Sequence, residues 1–254
     1  MNRPSGIDRP ARQSRTEQVQ LDTQQRCSGC DVGHLCVATG ADETTLEKLD
    51  HLLEIRDGVT PSRVVVKRGD PFQGLIAVRS GCFKTYTHDR DGREHVLGFF
   101  LPGELIGLDA IERGFHQYDV IALDHGALCE LDFEALVEIS ACSDGLRKQL
   151  FRLFASRLAD VEWRTGDYTA DERLAAFLLD ISERLHQRGR DGQRFELPMS
   201  RSDIGSYLSL ATETVSRVLS RFQKQQWIAV RRKQVSMIAP DALSSAAEAI
   251  LESR

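Results

Sequence analysis

The residue pattern predicts an α+β fold: a strand-rich N-terminal half, one long helix, and a C-terminal helix-turn-helix followed by a β-hairpin wing. Three observations carry this. Glycines at 69, 81, 92, 103, 114 and 126 recur at intervals of 11 or 12 residues, with short apolar runs between them. The stretch from Asp144 to about Thr165 has no Gly or Pro after Gly145 and repeats its apolar residues at three- and four-residue spacing. Two helix patterns and two strand patterns then follow one another between Ser200 and Ile238.

Each element has a local cause. Residues 1–26 are polar and Arg-rich, with almost no apolar residue after Met1, and read as a disordered arm. The strand runs are Val64–Val66, Leu75–Val78, Cys82–Tyr86, His95–Phe100, Val120–Leu123 and Ala127–Leu131. Short strands at this spacing indicate a sandwich or barrel. Asp91-Gly92 suits a hairpin turn, because both residues tolerate positive φ. After Phe133 the period changes. Leu146, Leu150, Leu153, Phe154, Leu158 and Val161 form one stripe of a long amphipathic helix. Such a stripe packs on the barrel or forms a dimer seam; the seam is the reading taken, on Leu150, Phe154, Leu158 and Val161. Another helix runs from Ala170 to about Gln187, ended by Gly189.

The C-terminal pattern is the most informative. Ser200 is a good N-cap with Asp203 at the third helical position. A second helix opens at Ala211 or Thr212 and runs to about Gln225. Ile204, Leu208, Leu210, Val215, Val218, Leu219 and Phe222 form the core of the pair. Thr212, Glu213, Ser216, Arg217 and Arg221 lie on the other face. Glu213 and Arg217 are four apart and share a face. Arg217 has the geometry to pair with guanine O6 and N7, and Glu213 to accept from cytosine N4. Arg231, Arg232 and Lys233 make a basic turn between the last two strands, suited to phosphate. The chain carries −5 overall, yet residues 199–235 carry +5, the segregation expected of a nucleic-acid surface.

The six cysteines are Cys27, Cys30, Cys36, Cys82, Cys129 and Cys142. No apolar stretch approaches the ~20 residues of a membrane span and no secretory segment is present, so a cytoplasmic protein with metal or redox thiols is expected over disulfides. Cys27, Cys30 and Cys36 are closely spaced, with Gly29 and Gly33 between them to let the backbone wrap. By spacing alone, zinc, an iron–sulfur cluster and plain free thiols all remain open. No nucleophile elbow, phosphate loop or metal-hydrolase motif appears, so an enzyme is not expected.

Taken together, these segments resemble the FNR branch (the fumarate and nitrate reduction regulator and its relatives) of the CRP/FNR superfamily. The resemblance runs from about Cys27 to Asp241. It rests on Cys-Ser-Gly-Cys-Asp-Val-Gly-His-Leu-Cys at 27–36, Ala-Val-Arg-Ser-Gly at 77–81 and Gly-Phe-Phe-Leu-Pro-Gly-Glu-Leu-Ile-Gly-Leu-Asp-Ala-Ile at 98–111. It continues with Cys-Glu-Leu-Asp-Phe at 129–133, Glu-Arg-Leu-Ala-Ala-Phe-Leu at 172–178 and Glu-Thr-Val-Ser-Arg-Val-Leu-Ser-Arg-Phe-Gln at 213–223.

The resemblance implies an eight-stranded β-roll of the cyclic-nucleotide-binding type, a dimerisation helix and a winged helix-turn-helix. The corresponding boundaries are 1–26 for the arm, 27–143 for the cysteine loop and roll, 144–168 for the helix, and 169–254 for the DNA-binding unit. It makes Cys129 the fourth ligand beside Cys27, Cys30 and Cys36, and the cofactor a [4Fe-4S] cluster; a zinc- or thiol-based regulator is the alternative. Cys82 and Cys142 match no ligand position. The resemblance further implies an oxygen-responsive homodimer on double-stranded DNA, with the half-site TTGAT inverted in a TTGAT-N4-ATCAA palindrome, and RNA polymerase as a partner at the Asp91-Gly92 hairpin. Thr212 and Ser216 stand where cyclic-nucleotide-binding relatives usually carry Arg and Gly. After Pro102-Gly103-Glu104, the chain reads Leu-Ile-Gly-Leu-Asp, with no Arg to hold a cyclic phosphate.

Overall fold

The computed structural model describes residues 26–252, and for 158–165 it describes backbone only. The N-terminal arm up to residue 25 therefore lies outside the described residues, as do the side chains of Leu158 and Val161.

A run of single turns carries the chain from Cys27 to Gly40. Helix α1 (Glu43–Leu52) follows, capped by Asp42, whose carboxylate accepts from Thr45 N at 2.8 Å. Eight strands come next: β1 (Leu53–Val59), β2 (Val64–Val66), β3 (Gly74–Ser80), β4 (Phe83–His88), β5 (Glu94–Phe100), β6 (Leu105–Ile106), β7 (Asp119–Ala122) and β8 (Gly126–Asp132). They form two four-stranded antiparallel sheets, ordered β1-β8-β3-β6 and β2-β7-β4-β5. Ile76, Val78, Ile106 and Leu128 from the first sheet meet Val66, Phe83, Phe100 and Val120 from the second. That shared interior takes one face of each sheet, and the opposite face of the first sheet buries Leu75, Ala77, Cys129 and Leu131 in a second cluster, so β3 and β8 are apolar at successive positions.

The expected six strand runs are present, and the structure adds β1 and β6. β1 escapes the pattern because Arg56, Asp57 and Gly58 interrupt it; β6 has only two residues. Gly69, Gly81, Gly92, Gly103 and Gly114 have positive φ, as turn glycines should. Gly126 differs. It opens β8, and a Cβ there would lie 2.5 Å from Ser80 O, so close strand approach requires the glycine. The Asp91-Gly92 hairpin is a wider loop than a two-residue turn. Asp89 closes it by accepting from Asp91 N at 2.8 Å and Arg93 N at 2.9 Å.

Helix α2 (Phe133–Cys142) leads into the long helix α3 (Asp144–Thr165), 22 residues whose bounds match those expected. Leu146 is fully buried against the roll; Leu150, Leu153 and Phe154 are half-buried against the same cluster. Helix α4 (Ala170–Gln187) starts with a Thr169–Glu172 capping box. Strand β9 (Arg194–Glu196), helices α5 (Arg201–Leu208) and α6 (Thr212–Lys224), strands β10 (Ile228–Arg231) and β11 (Gln234–Met237), and short helices α7 (Pro240–Ala246) and α8 (Glu248–Leu251) complete the chain. β9 adds a third strand to the wing, ordered β10-β11-β9.

The core of the C-terminal half does not stop at α4. It includes Cys82, Val96, Phe99 and Leu101 from the roll. Phe99 is 2% exposed, and its ring lies 5.0 Å from Tyr207 and 6.0 Å from Phe177. The roll and the helix-turn-helix thus share aromatic packing.

Candidate functional site

Two sites emerge, one at each end of the chain. The first is built by the segment 27–39, which wraps through successive turn hydrogen bonds, including Gly33 N to Cys30 O at 3.0 Å and Cys36 N to Gly33 O at 3.3 Å. Thr39 Oγ1 donates to Gly33 O at 3.0 Å, and Asp50 on α1 accepts from Cys27 N at 2.6 Å. A Cβ at Gly33 would crowd the carbonyls of Cys27 and Cys30 at 3.1 and 3.2 Å, which explains one of the two loop glycines.

This loop folds over the first sheet where β8 runs between β1 and β3. There Cys129 is in register with Ile55 on one side and Ala77 on the other. Cys27, Cys30, Cys36 and Cys129 line one narrow cavity, together with Val32, Val37, Leu53, Ala77, Leu131 and Arg79. The environment is apolar, and it tells on the thiols. Burial, reinforced by the Asp50 carboxylate, pushes Cys27 far above the ordinary thiol range. Burial pushes Cys36 up to about 12. Cys129 is also raised by burial, opposed by the Arg79 guanidinium, whose Nη1 lies 4.0 Å from Sγ. Among the described residues, no three His, Cys, Asp or Glu side chains converge closely enough to hold a single ion. The other two cysteines lie elsewhere. Cys82 is 3% exposed and burial raises it to about 12, the behaviour of a small core hydrophobe; Cys142 is exposed. Arg79 and Asp50 were not singled out by sequence. Arg79 lies inside the quoted 77–81 motif, but nothing along the chain pairs it with position 129.

The second site is the helix-turn-helix. Ser200 and Asp203 form a reciprocal capping box, with Asp203 N donating to Ser200 Oγ at 3.0 Å. The turn needs two special positions. Ser209 sits at φ 56°, and a Cβ at Gly205 would lie 2.7 Å from Leu210 O. α6 buries Val215, Val218, Leu219 and Phe222, and leaves Thr212, Glu213, Arg217, Arg221 and Lys224 exposed. Ser216 is half-buried and accepts from Arg201 Nη1 at 3.3 Å. Arg221 is bound to Asp171 on α4, so its guanidinium is not wholly free for a ligand. The wing turn is Arg232-Lys233, tighter than expected, because Arg231 pairs with Gln234 within the ladder. Arg231, Arg232 and Lys233 are all exposed; Lys233 Nζ reaches Pro198 O at 3.5 Å.

On α3, the expected seam residues Leu150 and Phe154 are half-buried against the roll, and Phe151, one position round the helix, is 66% exposed. Arg157, also on α3, lies over the Phe100 ring at 3.9 Å from its centroid and 4.0 Å from Glu104. Among the described residues, no helix is long and apolar enough to cross a membrane.

Comparison with known proteins bears on both sites. Residues 172–246 match the Crp-like helix-turn-helix domain, and residues 58–141 match the cyclic nucleotide-binding domain. The fumarate and nitrate reduction regulatory proteins of Salmonella typhimurium and Escherichia coli are each 38% identical over 224 residues, covering 87% of this chain and 90% of theirs. The solved structure of FixK2 from Bradyrhizobium japonicum superposes with a TM-score of 0.68 at 27% identity, covering 76% of this chain and 96% of that one. With a β-roll, a winged helix-turn-helix and near-full-length similarity to these regulators, the chain belongs to the FNR branch of the CRP/FNR family of DNA-binding transcription regulators.

Proposed function

We propose that this regulator responds to oxygen through a [4Fe-4S] cluster held by Cys27, Cys30, Cys36 and Cys129, and binds TTGAT-N4-ATCAA-like palindromes as a homodimer. The observation that carries it is the meeting of four thiols, one of them 93 positions beyond the next, around one apolar cavity. Four thiolates are the donor set for a thiophilic cluster. When bound, the cluster supplies an oxygen-sensitive inorganic core.

The protein's part is specific. The loop is built of single turns with no helix or strand beyond one 3₁₀ turn, so it can step outward to seat the group. The Arg79 guanidinium stabilises negative charge on Cys129, and the apolar lining keeps water out. On the DNA side, Arg217 reads a guanine and Glu213 its paired cytosine, with Thr212 and Ser216 flanking and Arg221 half-engaged by Asp171. Arg231, Arg232 and Lys233 contact phosphates. Two linked half-sites give the dimer its affinity, so loss of association removes specific binding. The exposed Phe151 makes the α3 face the dimer contact, and the Asp89–Arg93 hairpin is offered to RNA polymerase.

Anaerobic purification with iron and acid-labile sulfide analysis tests the reading. Ser substitution at Cys27, Cys30, Cys36 or Cys129 should each abolish the cluster; at Cys82 or Cys142 it should not. Stoichiometric zinc without iron would establish the zinc-based alternative instead.

A further inference from the structure

The cysteine loop touches the DNA-binding unit directly. His34, between Gly33 and Cys36, donates from Nε2 to Gln187 O at 3.1 Å, at the last residue of α4. Its neighbour Leu35 packs on the Pro102-Gly103 turn of the roll, so closely that a Cβ at Gly103 would lie 3.0 Å from Leu35 Cβ. The following residue, Glu104, is the centre of a largely buried ionic cluster. Arg184 of α4 grips it with two hydrogen bonds, Nε to Oε1 at 3.0 Å and Nη2 to Oε2 at 2.7 Å. Arg188 adds Nη2 to Oε1 at 2.6 Å and also holds Pro102 O at 2.6 Å. Arg184 Nη2 reaches Phe99 O at 2.9 Å, and Arg157 approaches from α3. Leu35, Glu104, Arg157, Arg184, Arg188 and Gln187 line one cavity, so the loop forms a wall of the space that contains this cluster.

The loop is also tied to the long helix. Gln149 Nε2 donates to Cys36 O at 3.2 Å, and the chain at Gly40 lies so near α3 that a Cβ at Gly145 would sit 1.9 Å from Gly40 O. Nothing in the helix-turn-helix motif or the cysteine spacing requires any of these contacts.

We propose that the cysteine loop is a latch on the DNA-binding unit of its own protomer, acting through His34, Leu35 and the Glu104–Arg184–Arg188 clasp. An ordered loop holds the end of α4 against the Pro102–Glu104 turn and, with it, the docking of α5 on β5. A released loop frees that docking and loosens the orientation of the recognition helix. The route lies within one chain and is separate from the association of two chains along α3. Its regulatory sense rests on the cluster reading; the coupling itself does not.

Coupling between two sites must act in both directions, and this supplies the test in the reduced, metal-free, full-length chain. Glu104→Gln, which touches no cysteine, should raise the alkylation rate of Cys36 by iodoacetamide at least threefold. Arg188→Met, a milder break of the clasp, should do so to a lesser degree. Conversely, His34→Ala with Leu35→Ala should speed amide exchange at least threefold over 184–190 and over 94–101, while exchange in the wing strands stays unchanged. Wild-type alkylation rates in the folded Arg188→Met protein, or unchanged exchange at the end of α4 in the loop variant, would overturn the latch. Two-way coupling in a protein that never takes up iron would support the latch and overturn only the cluster reading.

Discussion

The two functional regions differ in how they are made. The helix-turn-helix draws its caps, its turn and its exposed basic face from residues 200–237, a contiguous segment, although Phe99 and Phe177 help complete the core behind it. The thiol cavity joins residues 27–36 to a strand position nearly a hundred residues on, and depends on the β1-β8-β3 register to put Cys129 beneath the loop. A contiguous motif stands or falls with local geometry, whereas the cavity depends on global packing and on whatever it binds.

The largest effect is expected at the reader itself. A bidentate base contact is worth about 1–3 kcal/mol per half-site, and a symmetric dimer uses it twice. Arg217→Ala should therefore cost roughly 2–6 kcal/mol in specific affinity under anaerobic conditions and leave iron content unaltered. Lys233→Ala should instead weaken all duplexes alike and reduce the salt slope by about one unit. A competition assay between the palindrome and scrambled DNA separates the two. Equal losses on both duplexes for Arg217→Ala would place the reader elsewhere.

Next are the glycines that each region needs. Gly205→Ala forces a Cβ to 2.7 Å from Leu210 O, a rigid backbone atom, and should destabilise the C-terminal unit by about 1–3 kcal/mol. Gly33→Ala meets carbonyls at 3.1 and 3.2 Å on a loop of turns that can yield. It should leave thermal stability nearly unchanged and speed loss of iron. Equal thermal shifts in the two variants would break the contrast between a rigid local motif and an adaptable loop.

A smaller effect follows from the junction of the regions. Lys84 on β4 pairs with Glu94 on β5 and with Asp203 at the first turn of α5, and Ser206 Oγ accepts from Val96 N at 2.9 Å. Burial opposes ionisation of Asp203, but the Lys84 ammonium and the Ser200 donors outweigh it and hold its carboxyl below 3.8. Burial likewise opposes the Lys84 charge, and the two carboxylates outweigh it and raise Lys84 above 10.5. A depressed carboxylate stabilises the fold above its unfolded pKa and loses that contribution as pH falls through its folded value; a raised ammonium does so in reverse. The junction should therefore hold between about pH 4 and 10 and open only outside that window. Amide exchange over 94–97 and 203–207, followed against pH, checks this. Opening near pH 6 would point to a different group.

The smallest is at the turn. Ser209 occupies the left-handed region at φ 56°, at a cost of roughly 1 kcal/mol that glycine avoids. Ser209→Gly should raise stability by a few tenths of a kcal/mol to about 1 kcal/mol, with unchanged operator affinity in a direct titration.

The legible parts of the chain are those where periodicity acts through nearest neighbours. Ser200 with Asp203, the Val215–Phe222 stripe and the bounds of α3 all follow from helical spacing. Strand runs were readable where both faces were apolar. They were not where charge interrupted them, as in β1, or where the strand was too short to show a period, as in β6 and β9. The thiol loop was visible from its spacing, but its partner entered through family resemblance, because no local rule links position 36 to position 129.

By itself, the sequence determined the order of the main elements, the caps and glycine turns, the basic face and the three clustered thiols. Each depends on contacts within a few residues, where chain connectivity holds the partners near one another. Only the tertiary structure decided that Cys129 and Arg79 complete the cavity, that Phe154 faces inward while Phe151 faces out, and that Glu104 is gripped by arginines some eighty residues later. Those outcomes depend on sheet register and helix rotation. One residue of slip in a strand, or about 100° of turn in a helix, puts a different side chain on the buried face.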